Sequence, residues 1–72
     1  MASQADLDNW FTYHAVIGDQ QERYVKLRDK AKEFAELIVA CTPSCADQTA
    51  AMRKLRETVM AVNLTIACNE KP

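Results

Sequence analysis

Three of the chain's five aromatic residues, Trp10, Phe11 and Tyr13, fall within four consecutive positions, and the only histidine, His14, follows at once. Aromatic faces stack on nucleobases at roughly 1–3 kcal/mol per base, and an imidazole beside them adds a hydrogen-bonding group or a proton carrier. Further along, Arg23, Lys26 and Lys30 follow one another at helical-turn spacing, with Arg28 among them. Such side chains pair with phosphate. Together these groups offer what a nucleotide requires: a stacking surface and cations. Arg53, Lys54 and Arg56 form a second basic cluster.

Each group also has a plainer reading. Asp29, Glu33 and Glu36 are interleaved with the cations, and opposite charges at helical spacing are an ordinary solvated face. The aromatic run equally suits hydrophobic stapling onto a neighbouring protomer, and a lone His near a helix start is commonly a packing or hydrogen-bonding residue. Asn63, polar within an apolar run, either fixes register between helices or contacts a ligand.

Catalytic signatures are scarce. The single glycine excludes a glycine-rich phosphate loop, and no His-x-x-x-His, nucleophile elbow or paired carboxylate set is present. Cys41, at the end of a helix, sits where the dipole raises a thiol pKa, which makes it a poor nucleophile. Cys41, Cys45 and Cys68 have loose spacing and no second ligand pair, so neither a zinc site nor any other cofactor is expected. Small buried thiols are the simpler reading. The chain does not read as an enzyme.

These groups need elements to position them. Residues 1–18 read as an irregular aromatic arm and residues 19–70 as an α-hairpin, one domain in all. Asp19 is a good N-cap for the first helix, with Glu22 in capping-box position. A seam of Tyr24, Leu27, Ala31, Phe34, Ile38 and Cys41 advances in steps of three and four, the pattern of a helix packed on a helix. Thr42-Pro43 ends it, and Ser44 is the expected cap of the second helix, whose seam is Met52, Leu55, Val59, Val62 and Ile66. The short connection makes the helices antiparallel, each roughly 35 Å long. The fold class is all-α. From Val59 to Cys68 the second helix is apolar on nearly every side, and one partner helix cannot cover it. A closed homo-oligomeric helical bundle is therefore expected.

A formal net charge of −1 argues against a protein that coats polymeric DNA or RNA. The start, MASQADLDN, is polar and acidic, which predicts neither a signal peptide nor a membrane span, and a cytoplasmic address.

Four stretches carry a resemblance: WFTYHAVIGDQQERY, LRDKAKEFAELI, TPSCADQTAAMRKLRE and VMAVNLTIACNE. Together they cover most of residues 8–70, and they resemble the phage anti-CBASS and anti-Thoeris cyclic-nucleotide sponge family. The most specific parts are the FTYH arm and the ending from Val59 to Glu70. The resemblance implies helical-hairpin homo-oligomers, often hexamers. In the cytoplasm of an infected bacterial host these sequester cyclic oligonucleotide signals, such as cyclic GMP-AMP, without cleaving them. It implies a pocket where protomers meet, with Tyr13 stacking on a base and a basic residue, Arg28 or alternatively Lys26, near phosphate or base. Phe11, His14 and Asn63 complete the candidate ligand-binding set. Cys68 stands where many relatives carry Arg. The implied ligands are therefore cyclic dinucleotides first, with cyclic trinucleotides left open. The alternative reading is a small helical adaptor that docks on a host protein and inhibits it.

Overall fold

The computed structural model describes residues 2–70, and it is all-α. A short helix α1 (Gln4–Trp10) precedes two long helices, α2 (Gln20–Cys41) and α3 (Ala46–Asn69). The long pair pack against each other as a hairpin, with four residues between them.

The arm is not wholly irregular, contrary to the sequence expectation. Ser3 caps α1 in a reciprocal box: Ser3 Oγ accepts from the Asp6 amide at 3.1 Å, and Asp6 Oδ2 accepts from the Ser3 amide at 3.1 Å. Two orphan amides satisfied at once are enough to start a seven-residue helix in a polar sequence. Gly18 (φ +55°) then turns the chain into α2, a conformation that glycine adopts without a Cβ penalty. Ile17 and Gln20 bridge this turn. The Gln20 amide donates to the Ile17 carbonyl at 3.1 Å, and Gln20 Oε1 accepts from the Ile17 amide at 3.0 Å.

Asp19 occupies the N-cap position of α2 as expected, but its carboxylate caps no amide. It accepts instead from Arg23 Nε at 3.1 Å, so the box with Glu22 does not form. The cap of α3 is Cys45 rather than Ser44, again without a side-chain bond. Gln48 does the anchoring there, reaching back to Thr42 Oγ1 at 2.9 Å. Thr42 itself is extended (φ −132°, ψ 153°), as a residue before proline must be.

On α3 the expected seam holds: Met52, Leu55, Val59 and Val62 are half-buried and Ile66 is buried. On α2 it drifts. Tyr24, Ala31 and Ile38 are half-buried, and Ala35 joins them, whereas Leu27, Phe34 and Cys41 are exposed. A strict three-four alternation drifts slowly around a straight 3.6-residue helix, and small Ala35 lets the helices approach where Phe34 would hold them apart. The expectation of buried thiols holds only for Cys68, since Cys41 and Cys45 are exposed.

The tightest packing lies at one end of the hairpin. Among the described residues only Gln20, Ile66 and Cys68 are buried, and all three sit where the arm, the start of α2 and the end of α3 meet. The described chain as a whole is a slab 44 × 31 × 13 Å with a radius of gyration of 15.4 Å. A compact chain of this length would have a radius near 11 Å, and a helix with its side chains is about 10–12 Å across. The molecule is one helix thick. No helix among the described residues is long and apolar enough to cross a membrane.

Candidate functional site

The arm is pinned at two points by Asn9. Its side-chain amide donates to the carbonyl of Cys68 at 2.9 Å, satisfying one of the carbonyls that the C-terminal end of α3 leaves without an intrahelical partner. Its own carbonyl accepts from His14 at 2.6 Å. A carbonyl can only accept, so the His14 nitrogen engaged here, Nε2, carries the proton. His14 thus holds the arm's path. Asn9 Oδ1 is buried and accepts no hydrogen bond from the described residues.

Between these two pins the chain bulges outward. Phe11 is 83% exposed and Tyr13 86% exposed, on a segment whose ends are fixed. Phe11 closes α1 through its amide to the Leu7 carbonyl at 3.0 Å, and Thr12 Oγ1 bonds back to the Asp8 carbonyl. The aromatic rings are therefore presented to solvent by a short, hydrogen-bonded stretch.

The candidate residues fall into a series of shallow grooves along α3. Phe11 and Trp10 flank one of about 500 Å³ against Ala61 and Leu64. Tyr13 and His14 share another of about 240 Å³ with Gln20, Ala67 and Glu70. Asn63 lies in a third with Tyr24, Met60, Leu64 and Ala67. Arg28 rims a fourth with Lys32 and Arg56, over Ala31, Leu55 and Val59. Adjacent grooves share residues: Met60 joins those of Arg28 and Asn63, Leu64 those of Asn63 and Phe11, and Ala67 those of Asn63 and Tyr13. Only Tyr13 and His14 occupy one groove together. Lys26 is exposed and lines none of these four.

Arg23, which sequence spacing placed in a basic strip with Lys26, serves the fold. It donates to Glu70 through Nη1 at 2.7 Å and Nη2 at 2.5 Å, and to Asp19 through Nε at 3.1 Å. The hydrogen bonds to Glu70, above all, raise its already high pKa. The same bonds hold the Glu70 carboxyl below the usual carboxylate range, against an opposing desolvation effect, with Gln20 Nε2 helping at 3.4 Å. Lys30 pairs with Glu33 at 3.2 Å. Of the cations on α2, Arg28 and Lys32 are the ones that a groove gathers.

Sequence reasoning missed that Lys32 and Arg56 line one groove with Arg28. The signal was present: in an antiparallel hairpin, residues equally distant from the Thr42-Pro43 turn face each other, which sets Arg56 level with Ala31 and Lys32. It also missed Asn9, whose partner lies 59 residues away. Among the described residues, no group of three or more His, Cys, Asp or Glu side chains is placed to hold a metal ion. What the surface offers chemically is stacking, amide hydrogen bonding and fixed positive charge.

No family model matches the chain, and no curated protein or solved structure matches it significantly.

Proposed function

We propose that this chain binds and sequesters cyclic oligonucleotide second messengers, cyclic dinucleotides such as cyclic GMP-AMP above all, without cleaving them. The observation that carries this reading is the presentation of Tyr13 and Phe11, 86% and 83% exposed, on a segment tied at both ends through Asn9. A ring held outward at fixed position loses little freedom on stacking, which favours affinity. Arg28 in the neighbouring series of grooves supplies charge for phosphate, and Asn63 a donor or acceptor between them. The sequence resemblance of the arm and of the ending to phage cyclic-nucleotide sponges supplies the ligand class. In that setting the protein works in the cytoplasm of an infected bacterium and keeps CBASS-type effectors unactivated.

The working form in this reading is a homo-oligomer, a hexamer by the same resemblance, with pockets completed between copies. The support is the apolar surface left open on a single chain: Phe34 (53%), Leu37 (55%), Met60 (63%) and Leu64 (55%) are all exposed. A slab one helix thick has no interior to bury them in, and large exposed apolar patches mark association surfaces.

The groove beside Trp10, Phe11 and Leu64 is mostly apolar and favours a second reading, a helical adaptor that docks on a host protein. One experiment separates the two. Purified protein is mixed with cyclic GMP-AMP, the filtrate is assayed, and the retained protein is heat-denatured and its released ligand identified. Depletion followed by intact recovery supports sequestration. Absence of depletion across cyclic di- and trinucleotides and cyclic ADP-ribose isomers favours the adaptor, and linear products would mean a phosphodiesterase.

A further inference from the structure

Cys68 is only 4% exposed, and the packing of α2 on α3 does not account for it. Successive residues of an α-helix turn by about 100°, so Cys68 lies roughly 200° around α3 from Ile66, which belongs to the seam facing α2. The arm covers the thiol instead. Asn9 and Cys68 hold each other in both directions: the Asn9 side-chain amide donates to the Cys68 carbonyl at 2.9 Å, and Cys68 Sγ donates to the Asn9 carbonyl at 3.9 Å. Little else fastens the arm. No residue of α1 is buried. Among the described residues, its other hydrogen bonds to the hairpin join Ile17 to Gln20 at the turn itself, beside Gly18 in its left-handed conformation.

We propose that the arm is a strap, hinged at Gly18 and latched to α3 by Asn9 and Cys68, which opens while the long helices stay folded and is held shut by bound ligand. Two grooves have one wall from each side of this latch. Trp10 and Phe11 share one with Ala61 and Leu64, and Tyr13 and His14 share the other with Gln20, Ala67 and Glu70. Both grooves come apart when the arm leaves α3. A ligand that touches both walls therefore binds the closed form and draws the equilibrium toward it. Cys68 is the gauge of this motion: its thiol is concealed when the strap is shut and reachable when it is open. That the ligand is a cyclic dinucleotide rests on the sequestration reading; the strap rests on the latch and the hinge.

Alkylation of Cys68 by iodoacetamide, followed by mass spectrometry of the full chain, tests this. The exposed Cys41 and Cys45 are first replaced by Ser, which leaves Cys68 as the sole thiol. Asn9→Ala and Asn9→Asp are then made in that background; the second keeps the side chain's size but removes its donor. We expect both to speed labelling about fivefold, the effect of one lost hydrogen bond, with helix content by circular dichroism unchanged. Cyclic GMP-AMP well above its Kd should slow labelling of the parent at least tenfold. Labelling of Cys68 only at the rate at which the long helices unfold, with the Asn9 variants changing both rates alike, would overturn the strap. So would cyclic GMP-AMP that binds by equilibrium dialysis yet leaves the labelling rate untouched. Faster labelling in the Asn9 variants with no binding of cyclic GMP-AMP would sink the sequestration reading and leave the latch and hinge standing.

Discussion

Arg23 grips Glu70 through two parallel hydrogen bonds across 47 residues of chain, joining the first turn of α2 to the residue that ends α3. Arg–carboxylate forks of this kind fix direction as well as distance. Gln20, which is buried, reaches the same carboxylate, so a single acidic side chain organises the end of the hairpin against which the arm rests.

This pair makes stability depend on pH. Glu70 titrates below the usual range when folded, whereas an unfolded Glu titrates at about pH 4.3. A depressed folded pKa contributes stability that is present above the unfolded value and is lost as pH falls through the folded one. Urea denaturation should therefore show Glu70→Gln less stable than wild type at pH 7, with the gap closing below about pH 4. A gap independent of pH would mean that ionisation of Glu70 contributes nothing.

The tie from Asn9 to Cys68 governs the arm. Asn9→Ala removes one hydrogen bond across elements, worth about 1 kcal/mol, and frees the Cys68 carbonyl. Limited chymotryptic cleavage at the arm aromatics should accelerate about fivefold, the equivalent of that energy, while α2 and α3 retain their helix content. Unchanged cleavage would show that His14 alone fixes the arm.

Tyr13 is the sharpest probe of the proposed function. It is 86% exposed, so Tyr13→Ala should leave the melting temperature of the protein unaltered. A lost base stack of roughly 1–3 kcal/mol predicts at least a tenfold weaker binding of cyclic dinucleotides by equilibrium dialysis. Retained affinity would move the site away from the arm.

Association should respond to Met60 and Leu64, which are exposed on α3. A charge placed at either position costs a lone hairpin little, but buried in an interface it would be unpaired and expensive. Met60→Asp should convert the proposed homo-oligomer to smaller species in analytical ultracentrifugation. An unchanged sedimentation profile would direct the search to Phe34 and Leu37.

The hairpin was legible because its signals are local. Apolar residues at helical spacing, the break at Thr42-Pro43 and the polar faces all lie within a turn or two of the residues they govern. The α2 seam was misread at Phe34 because a three-four count ignores the drift of a straight helix and because Ala35 is too small to attract attention. α1 escaped because its helix rests on a reciprocal cap at Ser3 and Asp6 rather than on apolar periodicity. The capping box was there to find, three residues apart. The use of Arg23 could not be read at all: its partner Glu70 is distant in sequence, and nothing local distinguishes a cation bound for a carboxylate from one facing solvent. The aromatic cluster was visible in the sequence, but not the means of holding it out, which is Asn9.

The two ends of the hairpin close very different loops. At the tip the helices are joined by four residues, while at the other end the contacts from Asn9 and Arg23 span 59 and 47 residues. Closing a long loop costs entropy before any contact offsets it, so the chain should zip from the tip toward the junction, and the arm should dock last. During synthesis the arm emerges before the hairpin, yet Cys68 and Glu70 must leave the ribosome before it has anywhere to rest. The aromatic segment is thus made before the helices it rests on and placed after them.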